Sequence, residues 1–233
     1  MSRPALAPNE PADAPDDELR EVQIPPLGLQ ALLGIPPQRR GLVIFAHGSG
    51  SGRLSPRNRH VARALRQAGI ATLLLDLLTP EEERNRANVF DIELLAQRLS
   101  LATAWAQKED DTSVLPIGYF GASTGGGAAL MAASRPQNRV AAVVSRGGRP
   151  DLAGPALDAV RAPTLLIVGA LDTEVIALNQ QAMQRLHCEK ALAIVPGATH
   201  LFEEPGALDD VVRLATQWFQ RHLAGIGADP SRT

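Results

Sequence analysis

Leu42-Val43-Ile44-Phe45-Ala46 is the first of several short, unbroken apolar runs in this chain, and most are followed by a longer stretch with apolar residues at helical spacing. A strand that is apolar on both sides needs cover on both of its faces. Parallel sheets flanked by helices meet that need, whereas a half-exposed antiparallel sheet alternates apolar with polar residues. The pattern predicts strands at 21–25, 27–35, 42–46, 70–76, 114–120, 141–145, 164–168 and 191–195. Between them it predicts helices at 56–68, 88–107, 124–134, 174–187 and 207–223. In the second helix Ile92, Leu95, Leu99 and Ala102 share one face. Pro25-Pro26 and Pro36-Pro37 close the two opening strands, because proline removes a ladder donor. The chain is therefore an α/β protein with a mostly parallel sheet and helices on both faces.

The 233 residues fit one core, read here as 21–224, between tails at 1–20 and 225–233. The first tail is rich in Pro, Ala and Asp and has no apolar centre, so it reads as flexible and not as a signal peptide. Apolar runs of about seven residues at most are too short to span a bilayer, and the expected location is cytoplasmic. A net charge of −2 with only eight aromatic residues argues against nucleic-acid binding. The lone Cys188 excludes an internal disulfide and a cysteine-based zinc site. Residues 38–66 carry seven arginines and no acid. The simplest reading is a solvated face balanced by acids such as Glu81 to Glu83.

Ligands of such sheets bind at the carboxyl ends of the strands, so the residues just beyond each strand carry the functional argument. After the run ending at Phe120 comes Gly121-Ala122-Ser123-Thr124-Gly125, a G-x-S-x-G at a strand–turn–helix junction. The crowded turn requires small flanking residues and exposes the serine at a helix start. A glycine-rich turn with a capping serine is the plainer alternative. A serine nucleophile needs a base, and of five histidines His200 alone stands in a loop directly after the last strand. Asp172, beyond the strand at 164–168, can fix the imidazole tautomer; as a lone residue it would serve equally well as a helix N-cap. The oxyanion of an acyl-transfer intermediate needs donors. The backbone N–H groups of Thr124 and of Ser49, in His47-Gly48-Ser49-Gly50-Ser51-Gly52, are the candidates, with His47 in a supporting role. Neither phosphate-loop spacing is met.

With the order Ser123, Asp172, His200, the chain resembles the α/β-hydrolases over roughly residues 20–224. The short form, with G-A-L-D and P-G-A-T-H segments, most resembles the dienelactone-hydrolase-like group. Dienelactone hydrolase proper uses a cysteine nucleophile, so Ser123 is closer to the carboxylesterase members. The resemblance implies the α/β-hydrolase fold, an eight-stranded sheet with its second strand antiparallel. The 18 residues between the strands ending at 145 and starting at 164 leave no room for a cap domain. It further implies a serine hydrolase that cleaves a small carboxylic ester through an acyl-enzyme, with no metal or organic cofactor.

Arg53 and Arg146 are candidates to clamp an anionic group of the substrate; pairing with Asp151 or Glu203-Glu204 is the competing reading. The charged segment 80–88 is expected to line the rim. Two other functions share these residues: an acyltransferase or perhydrolase with a different acceptor, and a small-molecule-binding protein without turnover.

Overall fold

A computed structural model describes residues 19–223. The expected tails at 1–20 and 225–233 lie almost wholly outside that range. Eight strands form one sheet: β1 (Leu19–Ile24), β2 (Leu29–Gly34), β3 (Leu42–Ala46), β4 (Ala71–Leu75), β5 (Ile117–Ala122), β6 (Val140–Arg146), β7 (Thr164–Gly169) and β8 (Lys190–Val195). Their spatial order is β1-β2-β4-β3-β5-β6-β7-β8. β2 runs antiparallel to both β1 and β4, and every later pairing is parallel.

The period-two geometry of a strand divides the core. Leu42, Ile44 and Ala46 of β3 face one layer, with Tyr119 of β5 and Leu95, Leu99 and Ala102 of α3 (Ile92–Ala106). Val43 and Phe45 face the other. There they join Phe120, Val61 and Leu65 of α1 (Pro56–Gln67), and Val211, Ala215 and Phe219 of α6 (Ala207–His222). The first layer also holds α4 (Thr124–Ala133) and α5 (Thr173–Arg185). Burial on both faces is what forced the unbroken apolar runs.

Three local expectations change. The helix expected over 88–107 begins at Ile92, because Asp91 accepts from Leu94 N–H at 3.0 Å and sets the start. Asn88–Phe90 is a separate 3-10 turn. Within segment 80–88 lies a one-turn helix, α2 (Pro80–Glu83), closed by a reciprocal Thr79–Glu82 capping box. Pro150–Ala159 forms 3-10 turns that the periodicity did not predict.

Three arginines of the 38–66 block pair with acids other than Glu81 to Glu83. Arg39 pairs with Asp111, Arg53 with Asp76 and Arg57 with Glu203, whereas Glu82 pairs with Arg98. Tertiary proximity chose these partners.

Candidate active site

Ser123 follows β5 and precedes α4 with φ 51° and ψ −122°, a left-handed conformation that costs a non-glycine residue energy. The surroundings hold it there. Its N–H donates to Arg146 O at 3.3 Å, and its carbonyl accepts from Gly126 N–H (2.9 Å) and Arg149 N–H (3.0 Å). The flanking glycines are required by space. A Cβ on Gly125 would stand 2.2 Å from Ala46 O, and one on Gly121 2.5 Å from Gly125 O. The Ser123 side chain makes no cap bond to α4, so the reading of a capping serine fails.

His200, in the loop after β8, and Asp172, after β7, meet through a 2.6 Å bond between His200 Nδ1 and Asp172 Oδ2. Asp172 occupies the N-cap position of α5, yet its side chain makes no capping bond. Its carboxylate is given to the imidazole instead. Nδ1 is thereby committed as a donor and Nε2 is left as the basic nitrogen. Ser123 and His200 line one cavity of about 240 Å³, together with Gly48, Ser49, Asn58 and Arg146.

The loop after β3 packs against the serine: a Cβ on Gly48 would lie 3.0 Å from Ser123 Cβ. Among the described residues, Thr124 N–H donates to no backbone carbonyl outside its helix. Ser49 N–H, the other expected oxyanion donor, donates to Thr124 Oγ1 at 3.2 Å. His47 is buried beneath the loop, its Nδ1 2.9 Å from Gly48 O and its Nε2 accepting from Leu77 N–H at 3.0 Å. Both ring nitrogens are thus used by the neutral tautomer, and burial holds its pKa below the ordinary value. The supporting role expected of His47 agrees with this geometry.

The two candidate arginines separate. Arg53 is tied to Asp76 through both its guanidinium and its backbone N–H, and it does not line the cavity of Ser123. It is removed from the expected clamp because Asp76, at the end of β4, neutralises it. Arg146, the last residue of β6, does line that cavity. It is 7% exposed, and among the described residues no carboxylate lies within ion-pair distance of it. The acids expected as its partners are otherwise engaged: Asp151 pairs with Arg149, Glu203 with Arg57, and Glu204 accepts from Thr199.

Sequence reasoning missed Asn58 and Arg57, which open α1 and line the same cavity. A signal existed for Asn58. It falls at the head of the buried stripe Asn58, Val61, Ala62, Leu65, where an amide is out of place unless it serves a polar neighbour. Among the described residues no group of three or more His, Cys, Asp or Glu side chains is placed to hold a metal ion. No helix among them is long and apolar enough to cross a membrane.

Comparison with known proteins gives this arrangement its context. The family model for the alpha/beta hydrolase fold matches residues 41–202. A dienelactone hydrolase from Anabaena variabilis superimposes with a TM-score of 0.84 at 57% identity, over 88% of this chain and 96% of that one. Est1E from Butyrivibrio proteoclasticus shares the fold at a TM-score of 0.74 and 16% identity, over 89% of this chain and 100% of its own. A Mycobacterium tuberculosis H37Rv protein, provisionally named a phosphoribosyl transferase, is 60% identical over 217 residues. That match takes in 93% of this chain but 49% of the relative, so the chain spans about half the length of the curated relatives it matches. By the family match and the fold, the chain belongs to the α/β-hydrolase family, in its dienelactone-hydrolase-like group.

Proposed function

We propose that the protein is a serine hydrolase of small carboxylic esters, with Ser123 as nucleophile, His200 as general base and Asp172 as the group that orients it. One observation carries the reading: the strained Ser123 opens into the same cavity as His200, whose Nδ1 is held by Asp172 at 2.6 Å. His200 Nε2 takes the Ser123 proton as Oγ attacks the ester carbonyl, and the resulting imidazolium lies against the Asp172 carboxylate. The carbonyl oxygen, now an anion, receives the N–H of Thr124, at the start of α4, where the helix dipole also favours negative charge. Ser49 N–H is the second donor, released when the Thr124 hydroxyl gives way to the substrate oxygen. His200 then protonates the leaving alcohol. Water attacks the acyl-enzyme by the same route, which regenerates Ser123 and frees the acid.

The provisional phosphoribosyl transferase name belongs to a relative of about twice this length. Phosphoribosyl transfer displaces a diphosphate from a sugar carbon and has no need of a serine nucleophile with a histidine base. The hydrolase reading is tested with p-nitrophenyl esters of two- to eight-carbon acids, comparing the wild type with Ser123→Ala. Turnover by the wild type that the variant loses by about 10³-fold or more is expected. Equal rates for the two proteins, or consumption of 5-phosphoribosyl diphosphate without any esterolysis, would overturn it. Methanol or hydrogen peroxide added as a competing acceptor shows whether the acyl group goes to water.

A further inference from the structure

Arg146 stands out among the described arginines. It lines the cavity of Ser123 and His200. It is nearly buried, and its Nε has no hydrogen-bond partner among the described residues. Its one polar contact is long: Nη2 donates to Asn58 Oδ1 at 3.5 Å. The plane is steadied by Phe202, whose ring centroid lies 5.8 Å from the guanidinium carbon. Phe202 itself is buried at φ 56°, a left-handed conformation unusual for a bulky residue. A buried charge without a counter-charge is costly and is retained where it serves something. Burial and the neighbouring Arg57 lower its pKa only to about 10, so the group is cationic at neutral pH.

We propose that Arg146 is a carboxylate receptor and a specificity-determining residue: the site takes esters that carry a free carboxylate on the portion lodged beside Ser123. The inference rests on the ester-hydrolase reading for its reaction and adds the substrate class. A single unneutralised guanidinium matches a monoanion. Arg57, the other arginine that lines the cavity, is already paired with Glu203 at 2.8 Å. Nη1, which has no partner among the described residues, and Nη2, whose single contact is long, suit the two oxygens of a carboxylate. Across the Gly48–Ser51 loop the charge reverses. A second cavity of about 290 Å³ is lined there by Leu78, Val89 and Leu95, with Glu83 as its acid. That side repels a carboxylate and receives an apolar group, which gives the substrate a direction.

The test pairs two substrates of similar length and the same leaving group: the mono-p-nitrophenyl ester of glutaric acid and p-nitrophenyl pentanoate, with spontaneous hydrolysis subtracted. The quantity read is the ratio of kcat/KM, anionic over neutral, which cancels general damage to the protein. The wild type is expected to favour the anionic ester. In Arg146→Met, which keeps an apolar chain against Phe202, the ratio should fall about 10- to 100-fold, the range for losing a charge-assisted hydrogen bond. Arg146→Lys, which keeps the charge without the planar fork, should be intermediate and guards against a Met variant that does not fold. A wild type without preference, or a ratio that Arg146→Met leaves unchanged, overturns the inference.

A second arm needs no turnover. Glutarate binding is measured by calorimetry on Ser123→Ala and on Ser123→Ala/Arg146→Met, with inorganic phosphate as the contrasting probe. Binding of glutarate that disappears in the double variant supports the receptor even if no ester is cleaved, in which case the hydrolase reading alone fails. Equal glutarate binding by both proteins, no binding by either, or tighter binding of phosphate than of glutarate would sink it.

Discussion

Replacing Asp172 with Asn removes a charge while keeping the shape of the side chain, and the cost can be worked from the His200–Asp172 pair. At 2.6 Å a carboxylate and an imidazolium attract by about 6 kcal/mol for an effective dielectric of about 20, and by about 1.6 kcal/mol for that of water. The Asp172 side chain is 14% exposed and that of His200 39%, so the pair sits between these limits. About 4 kcal/mol of lost imidazolium stabilisation corresponds to about 10³-fold in kcat. An amide facing Nδ1 also favours the wrong tautomer, which takes the expected loss to about 10³- to 10⁴-fold. KM for a neutral ester should change little, because Asp172 does not line the cavity with Ser123 and His200. Stability should change little too, since the carboxylate caps no helix. The assay is steady-state hydrolysis of p-nitrophenyl butanoate by the two proteins, with melting temperatures alongside. A fall in kcat of less than about 10-fold, in a variant that melts like the wild type, would refute this reasoning.

Three further perturbations reach different parts of the account. Gly125→Ala forces a Cβ to 2.2 Å from the Ala46 carbonyl oxygen, backbone that cannot step aside. The expected cost is about 3 kcal/mol, or a melting temperature lower by about 6–12 °C for a chain of this size, read by calorimetry. Thr124→Val removes the hydroxyl that accepts from Ser49 N–H. It should raise kcat by about 2- to 10-fold while lowering stability by about 1 kcal/mol, whereas a 10-fold fall in kcat would make the hydroxyl itself necessary. His47 has its pKa held below the ordinary 6.5 by burial, so the unfolded chain takes up the proton first as the solution is acidified. Stability contributed by His47 is therefore complete above pH 6.5 and is lost as the pH falls toward its lower folded-state pKa. Melting temperatures from about pH 7.5 to about pH 5.5 should fall more steeply for the wild type than for His47→Gln, which cannot titrate.

Much of the fold could be read from residue order alone because burial on both faces leaves a strong mark. The central strands β3, β4, β5 and β7 are buried along their whole length, and the glycines around Ser123 answer to backbone oxygens only 2.2–2.5 Å from where a Cβ would go. Such steric demands act within a few residues of chain, so a sequence records them directly. Pairing of charges is not recorded in that way. Arg53 and Arg57 are four residues apart, yet one is held by Asp76 and only the other reaches the cavity, because α1 turns Arg57 and Asn58 toward the end of β6. The same holds for the Ser49 donor. Its neighbour Thr124 is 75 positions away, and nothing local announces that a hydroxyl would occupy it. The 3-10 turns of Pro150–Ala159 escaped for a simpler reason, since two prolines and Gly154 erase the helical period there.

The proposed mechanism requires Ser123 to be an activated nucleophile with His200 as its base. Intact-mass measurement after reaction with a fluorophosphonate probe tests it most directly, with Ser123→Ala and His200→Ala beside the wild type. One probe adduct is expected on the wild type, none on Ser123→Ala, and labelling of His200→Ala slower by about 10³-fold or more. A folded wild type that stays unlabelled, or one that labels as fast without His200 as with it, would contradict it.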